Sequence, residues 1–387
     1  MNSAEWRVFI AETLTGQILA DVTPTQAPTF TRKIGDKGSL TVRVYITDNT
    51  VDLHTYTRPG RYSWAVAYGN HIVQAGPVWS YTVDDESREL EVTCGGLYSI
   101  FDRRVTRNPN GSTNDPVPAI VNPSEDLIYR GLSLRGIMRQ LVADNLAQIY
   151  YDIPSLVLPE AETGTAERTY YGYALKMIKE NMDQLSEVIN GPEFDFAPEF
   201  TPVGDHIQWR LNIGTPLLGD QESTAVWDYG TEQAPVDTIN VDVDGSAAPC
   251  SRVWVKGDGS ERTLLTGFAE DIRWQQQGYP ATDYVDGDHT SVTVQQTLED
   301  YADAALAEFT TPTEKWSCSV QIAGGGGVEY SPALGNWQLG DAPQFFVVGH
   351  PWLPDGGYRR RVLGYSNDTA TSVTLELSEE QESGAPT

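Results

Sequence analysis

Cysteine is scarce in this chain. Three residues in 387, Cys94, Cys250 and Cys318, lie far apart and are odd in number. That excludes a disulfide framework and a zinc knuckle, and it suits synthesis in a reducing compartment. Long apolar runs are missing as well. No window reaches the ~18 apolar residues of a membrane span, and the opening MNSAEWRVFIAETLTG has no apolar core suited to a signal peptide. Basic charge is low: 26 Lys+Arg stand against 54 Asp+Glu, a formal net charge of −28. A nucleic-acid binder needs the opposite sign to displace counterions from phosphates. The five histidines, His54, His71, His206, His289 and His350, never stand at metal-ligand spacing with another His or Cys.

Chemical motifs are absent too. The GGGG run at 324–327 lacks the GK[ST] ending of a phosphate loop, and there is no GxSxG elbow. Asp242, Asp244 and Gly245 echo the start of a calcium loop, but Ala247, Ala248 and Pro249 spoil the later ligand positions. A strand and turn fits them better. Asp286, Asp288 and His289 could clip a cation, but a solvated loop accounts for them better. No carboxylate pair stands out for glycan chemistry. Arg359 to Arg361 alternate along an expected strand, which makes a poor phosphate-binding patch. No residue is therefore assigned as catalytic, cofactor-binding or metal-ligating.

The charge that is present is unevenly spread. Residues 1–110 hold 11 Lys+Arg and 12 Asp+Glu, a net of −1, which leaves −27 for residues 111–387. Solubility explains this, and so does a surface that must not adhere to polyanions.

Gly 35, Pro 23 and Tyr 19 favour turns and strands. Residues 5–105 read as an antiparallel barrel or sandwich. Trp6, Val8 and Ile10 alternate, as do Leu40, Val42 and Val44, and Tyr62, Trp64, Val66 and Tyr68. Gly69–Asn70 makes a hairpin turn, and Asp84 to Ser87 makes the next. The run RNPNGSTNDPVPAIVNP over 107–123 marks a boundary. Two helical stripes follow, Leu134 to Leu146 capped by Ser133, and Leu175 to Ile189 stopped by Gly191–Pro192. FDFAPEF and IQWRLNI read as strands. Beyond residue 236 the pattern returns to β, with one helix at about 291–309 and a frayed acidic end, SEEQESGAPT.

One piece occurs twice. Gly60, a strand, a turn, a strand and an acidic hairpin closing at Cys94 match Gly340, a strand, a turn, a strand and an acidic hairpin closing at Leu377. The expected fold is mainly β: two tube-like antiparallel β domains at 1–105 and 236–387, around a mixed α/β middle at 106–235.

WAVAYGNHIVQAGPVWSY with RELEVTCGGLYSIFDRR resembles the first domain of tail hub (minor tail, baseplate hub-like) proteins of long-tailed phages, in particular the actinobacterial-phage type. VINGPEFDFAPEF resembles a stretch such proteins carry after a helix, and NWQLGDAPQFFVV with YRRRVLGYSNDTATSVTLEL resembles their closing β domain. The resemblance implies a structural virion protein at the tail tip, made in the host cytoplasm and neither enzymatic nor inserted in a membrane. It implies a homotrimer whose six β domains form a pseudo-hexameric ring against the distal tail or tail tube protein. Tip or spike and tape measure proteins would be neighbours, and DNA would pass without specific binding. Two alternatives stand beside it. One is a β-rich carbohydrate-binding protein or glycan hydrolase, which would gather tryptophans and carboxylates in one cleft. The other is the hub of a contractile injection particle.

Overall fold

The computed structural model describes residues 6–47, 51–110, 123–188, 190–231, 234–245, 250–287, 289–290, 292–309, 313–322, 334–367 and 371–378. The chain forms two compact units, Met1–Ile239 with Cys318–Leu377, and Asn240–Ser317. Its architecture is mainly β with a few helices, as the alternation of apolar residues requires.

In the first unit the chain begins with β1 (Trp6–Glu12), β2 (Ile18–Val22), β3 (Thr29–Lys33) and β4 (Ser39–Tyr45). A short helix α1 (Leu53–Tyr56) precedes β5 (Tyr62–Tyr68), β6 (His71–Asp84) and β7 (Glu89–Cys94). These seven strands stand in the order β2-β1-β5-β6-β7-β4-β3. Gly69 takes a φ of 59° in the β5–β6 turn, a conformation that glycine adopts without cost. In the next hairpin the Asp84 carboxylate accepts from the Glu86 and Ser87 N–H groups. β6 is long because it serves two partners. It pairs β5 as far as Pro77, then β7 from Val78 onward, with a bulge between Val78 and Ser80. A bulge bends a strand and lets it pass from one partner to another.

β5 is buried at every position, so both of its faces carry a load. On one face Ala65 and Ala67, with Phe9 and Ala11, enter a core shared with the middle region. That region is β8 (Leu127–Leu132), α2 (Leu134–Leu146), β9 (Leu156–Val157), β10 (Thr163–Tyr170), α3 (Ile178–Ser186), β11 (Phe194–Phe200) and β12 (Ile207–Ile213). Small alanines leave room for Trp209, fully buried on β12, whose indole N–H donates to the Ala75 carbonyl at 3.2 Å. Ser133 caps α2 by accepting from the Gly136 N–H at 2.9 Å. Ile137, Met138, Leu141 and Val142 form its buried stripe. The second stripe is shorter than the sequence suggests. Leu175 precedes α3, is exposed, and has a φ of 48°. Ile189 lies outside the described residues, as do residues 111–122 of the boundary loop.

The first unit then adds β13 (Val226–Tyr229), and β14 (Val236–Asp244) runs from the first unit into the second. Between β14 and its return, the second unit holds β15 (Arg252–Lys256), β16 (Thr266–Glu270), a short α4 (Arg273–Gln276), β17 (Asp283–Asp286) and α5 (Gln295–Glu308). β16-β15-β17 is a separate sheet. Val253 and Val255 from β15 meet Leu298 and Ala302 from α5 in a separate small core. β18 (Thr313–Gln321), β19 (Gln344–Val347), β20 (Gly356–Arg359), β21 (Val362–Asn367) and β22 (Ser372–Leu377) complete the chain. The GGGG run and the tail beyond Ser378 lie outside the described residues.

The repeat read from the sequence is present at the level of single hydrogen bonds. The Gly60 N–H donates to the Val78 carbonyl, and the Gly340 N–H to the Val362 carbonyl, both at 2.8 Å. Both glycines have positive φ, 75° and 90°. Val78 pairs Cys94 and Val362 pairs Leu377, and each strand bulges at the next residue. The Ile46 N–H donates to Arg88 and the Ile322 N–H to Thr371. Thus β4 corresponds to β18, β5 to β19, β6 to β20 with β21, and β7 to β22. One difference stands out. β1 runs antiparallel to β5, whereas β13 runs parallel to β19.

Candidate functional site

The two repeats meet along one strand pair. Thr31, Arg32 and Lys33 of β3 face Ser366, Tyr365 and Gly364 of β21. Behind this seam lies a cavity of about 870 Å³, bordered by Arg32, His71, Arg135, Asp195, Arg210 and Trp337. It is the place where the first repeat, the second repeat and the middle region converge, so it is the strongest candidate for a site.

Its centre is a buried ion pair. The Arg32 side chain is 10% exposed and that of Asp195 8%. Arg32 donates from Nε and Nη2 to the two Asp195 oxygens, at 3.3 and 2.5 Å, and from Nη1 to the Tyr365 hydroxyl at 3.3 Å. The hydroxyl in turn donates to the Val73 carbonyl at 3.3 Å. Burial alone pushes the guanidinium pKa down, but Asp195 and Tyr365 outweigh it and hold the value above its ordinary one. Asn367 completes the seam by accepting from the Phe30 N–H at 2.7 Å and donating to the Pro28 carbonyl.

The neighbouring cations are neutralised as well. Arg210 pairs Glu199 at 2.6 Å and Arg135 pairs Glu162 at 2.9 Å. A cavity whose three arginines already hold carboxylates is no trap for an added anion. Burial, and then the charge of Arg32, push His71 down from 6.5 to about 4, so it stays neutral near pH 7. The sign of its effect on stability follows. Between pH 6.5 and 4 the unfolded chain takes up a proton that the folded chain refuses, so stability falls as pH falls through that window. The expected loss is up to about 3 kcal/mol. It is read as the difference between the native chain and His71→Gln in urea melts at pH 7 and pH 4, and equal pH profiles would contradict it.

The arginine triplet differs from its sequence reading. The strand breaks at Arg360 and Arg361, between β20 and β21, so the side chains do not alternate. Arg360 is 2% exposed and Arg361 6%. Arg361 grips Glu193 with two bonds, at 3.0 and 2.5 Å, and Arg359 donates to the carbonyls of Gln221, Ser223 and Ala342. These cations tie loops to the second repeat, and Arg360 and Arg361 are not available to phosphates.

The remaining sequence candidates do not converge. His54 lies on α1 and His206 beside Asp205. His350 accepts the Trp352 and Leu353 N–H groups on Nδ1, so Nε2 carries the proton and donates to the Ile239 carbonyl. In the second unit His289 stacks on Tyr301 at 3.9 Å and contacts Asp286 at 3.2 Å, while Asp288 lies outside the described residues. Asp242 and Asp244 belong to strand β14, and Ala247, Ala248 and Pro249 lie outside the described residues. Among the described residues no group of three or more His, Cys, Asp or Glu side chains could hold a metal. Trp64, Trp209 and Trp316 are buried on β5, β12 and β18, Trp227 on β13 packs edge to face against Trp337 at 5.8 Å, and Trp352 is exposed on a loop.

The same strand plan occurs in solved structures. The tail protein from Neisseria meningitidis MC58 matches with a TM-score of 0.54 at 13% identity, over 97% of this chain and 97% of that one. The prophage MuSo2 43 kDa tail protein from Shewanella oneidensis matches with a TM-score of 0.57 at 9% identity, over 96% and 98%. This chain has the fold of these tail proteins. No protein-family model matches it, and no curated protein does. At such identities the likeness resides in the fold.

Proposed function

We propose that the chain is a structural tail hub subunit of a phage-type particle, with three copies presenting six β modules in one ring to a hexameric tail tube. The observation that carries this reading is the repeat: two modules in one chain share a bulge, a positive-φ glycine turn and two long-range hydrogen bonds. A three-fold ring that must meet a six-fold one needs six near-equivalent surfaces, and a duplicated module supplies them. In this reading 1–105 and 236–387 are the ring modules and 106–235 is the adapter between them. Distal tail or tube, tape measure and tip proteins are its neighbours, and the tail tip is its place. An image of purified tails with the chain labelled at one terminus tests this. Three labels at the tip support it, and labels along the shaft or none at all would sink it.

Two solution results belong to the same reading. The chain is expected to clear no zone in a zymogram of host cell wall, since its sequence carries no legible catalytic motif such as a GxSxG elbow. A zone lost on changing one Asp or Glu would favour the glycan hydrolase instead. The chain is also expected not to bind duplex DNA at physiological salt. The net of −27 beyond residue 110 opposes it, and at about 8 Å screening length carboxylates on a channel wall still repel a passing phosphate. Retardation of DNA in a gel shift at 0.15 M salt would contradict a wall built for free passage.

A further inference from the structure

The seam inside the chain specifies a second seam between chains. β3 gives its outer edge to β21. By the repeat, Gly364, Tyr365 and Ser366 of β21 correspond to Ser80, Tyr81 and Thr82 of β6, since Val362 corresponds to Val78 and both strands bulge at the next residue. Likewise β3 corresponds to β14, because β3 stands beside β4 and β14 beside β18. The in-chain seam therefore uses one β3-type edge and one β21-type edge. Each molecule has one more of each.

Among the described residues, Ser80–Asp84 has no strand partner on its second edge, and β14 has one only at Val236. β5 leaves β6 at Pro77, and on that side of Ser80–Asp84 nothing replaces it. β13 meets β14 at a single bridge, Tyr229 to Val236, and the edge beyond it carries no second strand. The side chains show what the covering strand does. Tyr365 and Tyr81 are equivalent, and each faces a buried apolar residue across its hairpin, Leu375 and Val92. Tyr365, with β3 beside it, is 6% exposed, whereas Tyr81 is 45% and Val83 54% exposed. An apolar, unpaired strand edge of this kind is a template for strand addition.

We infer that Ser80–Asp84 of one chain pairs with the β14 edge of a second copy, antiparallel, as β21 pairs with β3 within the chain. The contact joins two different edges, so it is heterologous and propagates head to tail until it closes a ring. The number of copies rests on the tail hub reading, whereas the identity of the edges rests on the repeat alone.

Cysteine trapping tests it in the full chain. Thr82→Cys is combined with one cysteine at Asn240, Val241 or Asp242. A parallel variant, Thr31→Cys with Ser366→Cys, reports the in-chain seam. The native thiols interfere little: all three are buried, and burial pushes Cys94 up to about 12. After mild oxidation, at concentrations where native mass spectrometry shows an oligomer and also in purified tails, at least one pair is expected to give a covalent trimer. Single-cysteine chains mixed together are expected to stop at dimers. Tyr81→Lys is expected to melt like the native chain and to lower the oligomer fraction about tenfold, as a charge on an edge strand does. Absence of the cross-link beside a formed control bond overturns the proposed edges. A trimer in the same sample would then leave the ring reading standing on other surfaces. A chain that is monomeric in solution and absent from tails overturns both.

Discussion

Replacing Arg32 by alanine is expected to destabilise the first unit by about 3–5 kcal/mol. The size comes from what is left behind. Asp195 keeps its charge at 8% exposure and loses its counter-charge, and the Tyr365 hydroxyl loses one of its two bonds. An exposed pair, such as Lys33 with Glu376, would be worth ~1 kcal/mol or less. The cost also falls on the strand pair that joins the repeats, since Arg32 and Tyr365 are direct partners in the β3–β21 register. A cycle separates charge from packing. Arg32→Leu with Asp195→Leu removes both charges and keeps apolar volume, so the double variant is expected to be milder than Arg32→Ala alone. Urea unfolding of the native chain, Arg32→Leu, Asp195→Leu, their double variant and Arg32→Ala measures this. A single variant costing ~1 kcal/mol or less would show that solvent reaches the pair and that the seam does not depend on it.

Local chemistry made part of this structure readable. Leu40, Val42 and Val44 alternate because β4 has one buried face, and Ser133 stands where an N-cap must stand. The Gly60 and Gly340 turns were legible because positive φ leaves glycine as the common choice. The repeat could be read as an order of strands and turns, although its decisive marks, two bulges and two pairs of hydrogen bonds, are backbone events with no residue signature. The seam was not legible at all. Arg32 and Asp195 are 163 positions apart, and Arg361 and Glu193 are 168 apart. An ion pair at such a distance leaves no spacing to find. Arg359 to Arg361 misled for a related reason: the bend between β20 and β21 comes from pairing two different strands, which a one-dimensional pattern does not express. The Leu175 stripe failed on capping. The chain takes a left-handed turn at Leu175 and starts α3 only at Ile178.

Trp209→Ala is the other substitution expected to have a large effect, and it tests how the middle region relates to the first repeat. The sequence separates them by a loop of Asn, Pro and Gly, yet the core does not. Trp209 on β12 shares one cluster with Ala65 and Ala75 of the first repeat and with Ile137 and Met182 of the middle helices. Its fully buried indole fills the space those alanines leave, and its N–H reaches across to the Ala75 carbonyl. Truncation removes the ring, leaves a cavity and deletes that bond, at a cost of about 3–5 kcal/mol. For a unit of this size that lowers its melting temperature by roughly 5–8 °C. Trp209→Phe keeps most of the volume and should cost less than about 2 kcal/mol. The transition of Asn240–Ser317 is expected to stay where it is, because its core of Val253, Val255, Leu298 and Ala302 is built separately. Calorimetry distinguishes the outcomes. If the middle region melted alone on Trp209→Ala while the strands of the first repeat held their temperature, the two would be independent domains. The shared cluster would then be a contact surface between them rather than one core.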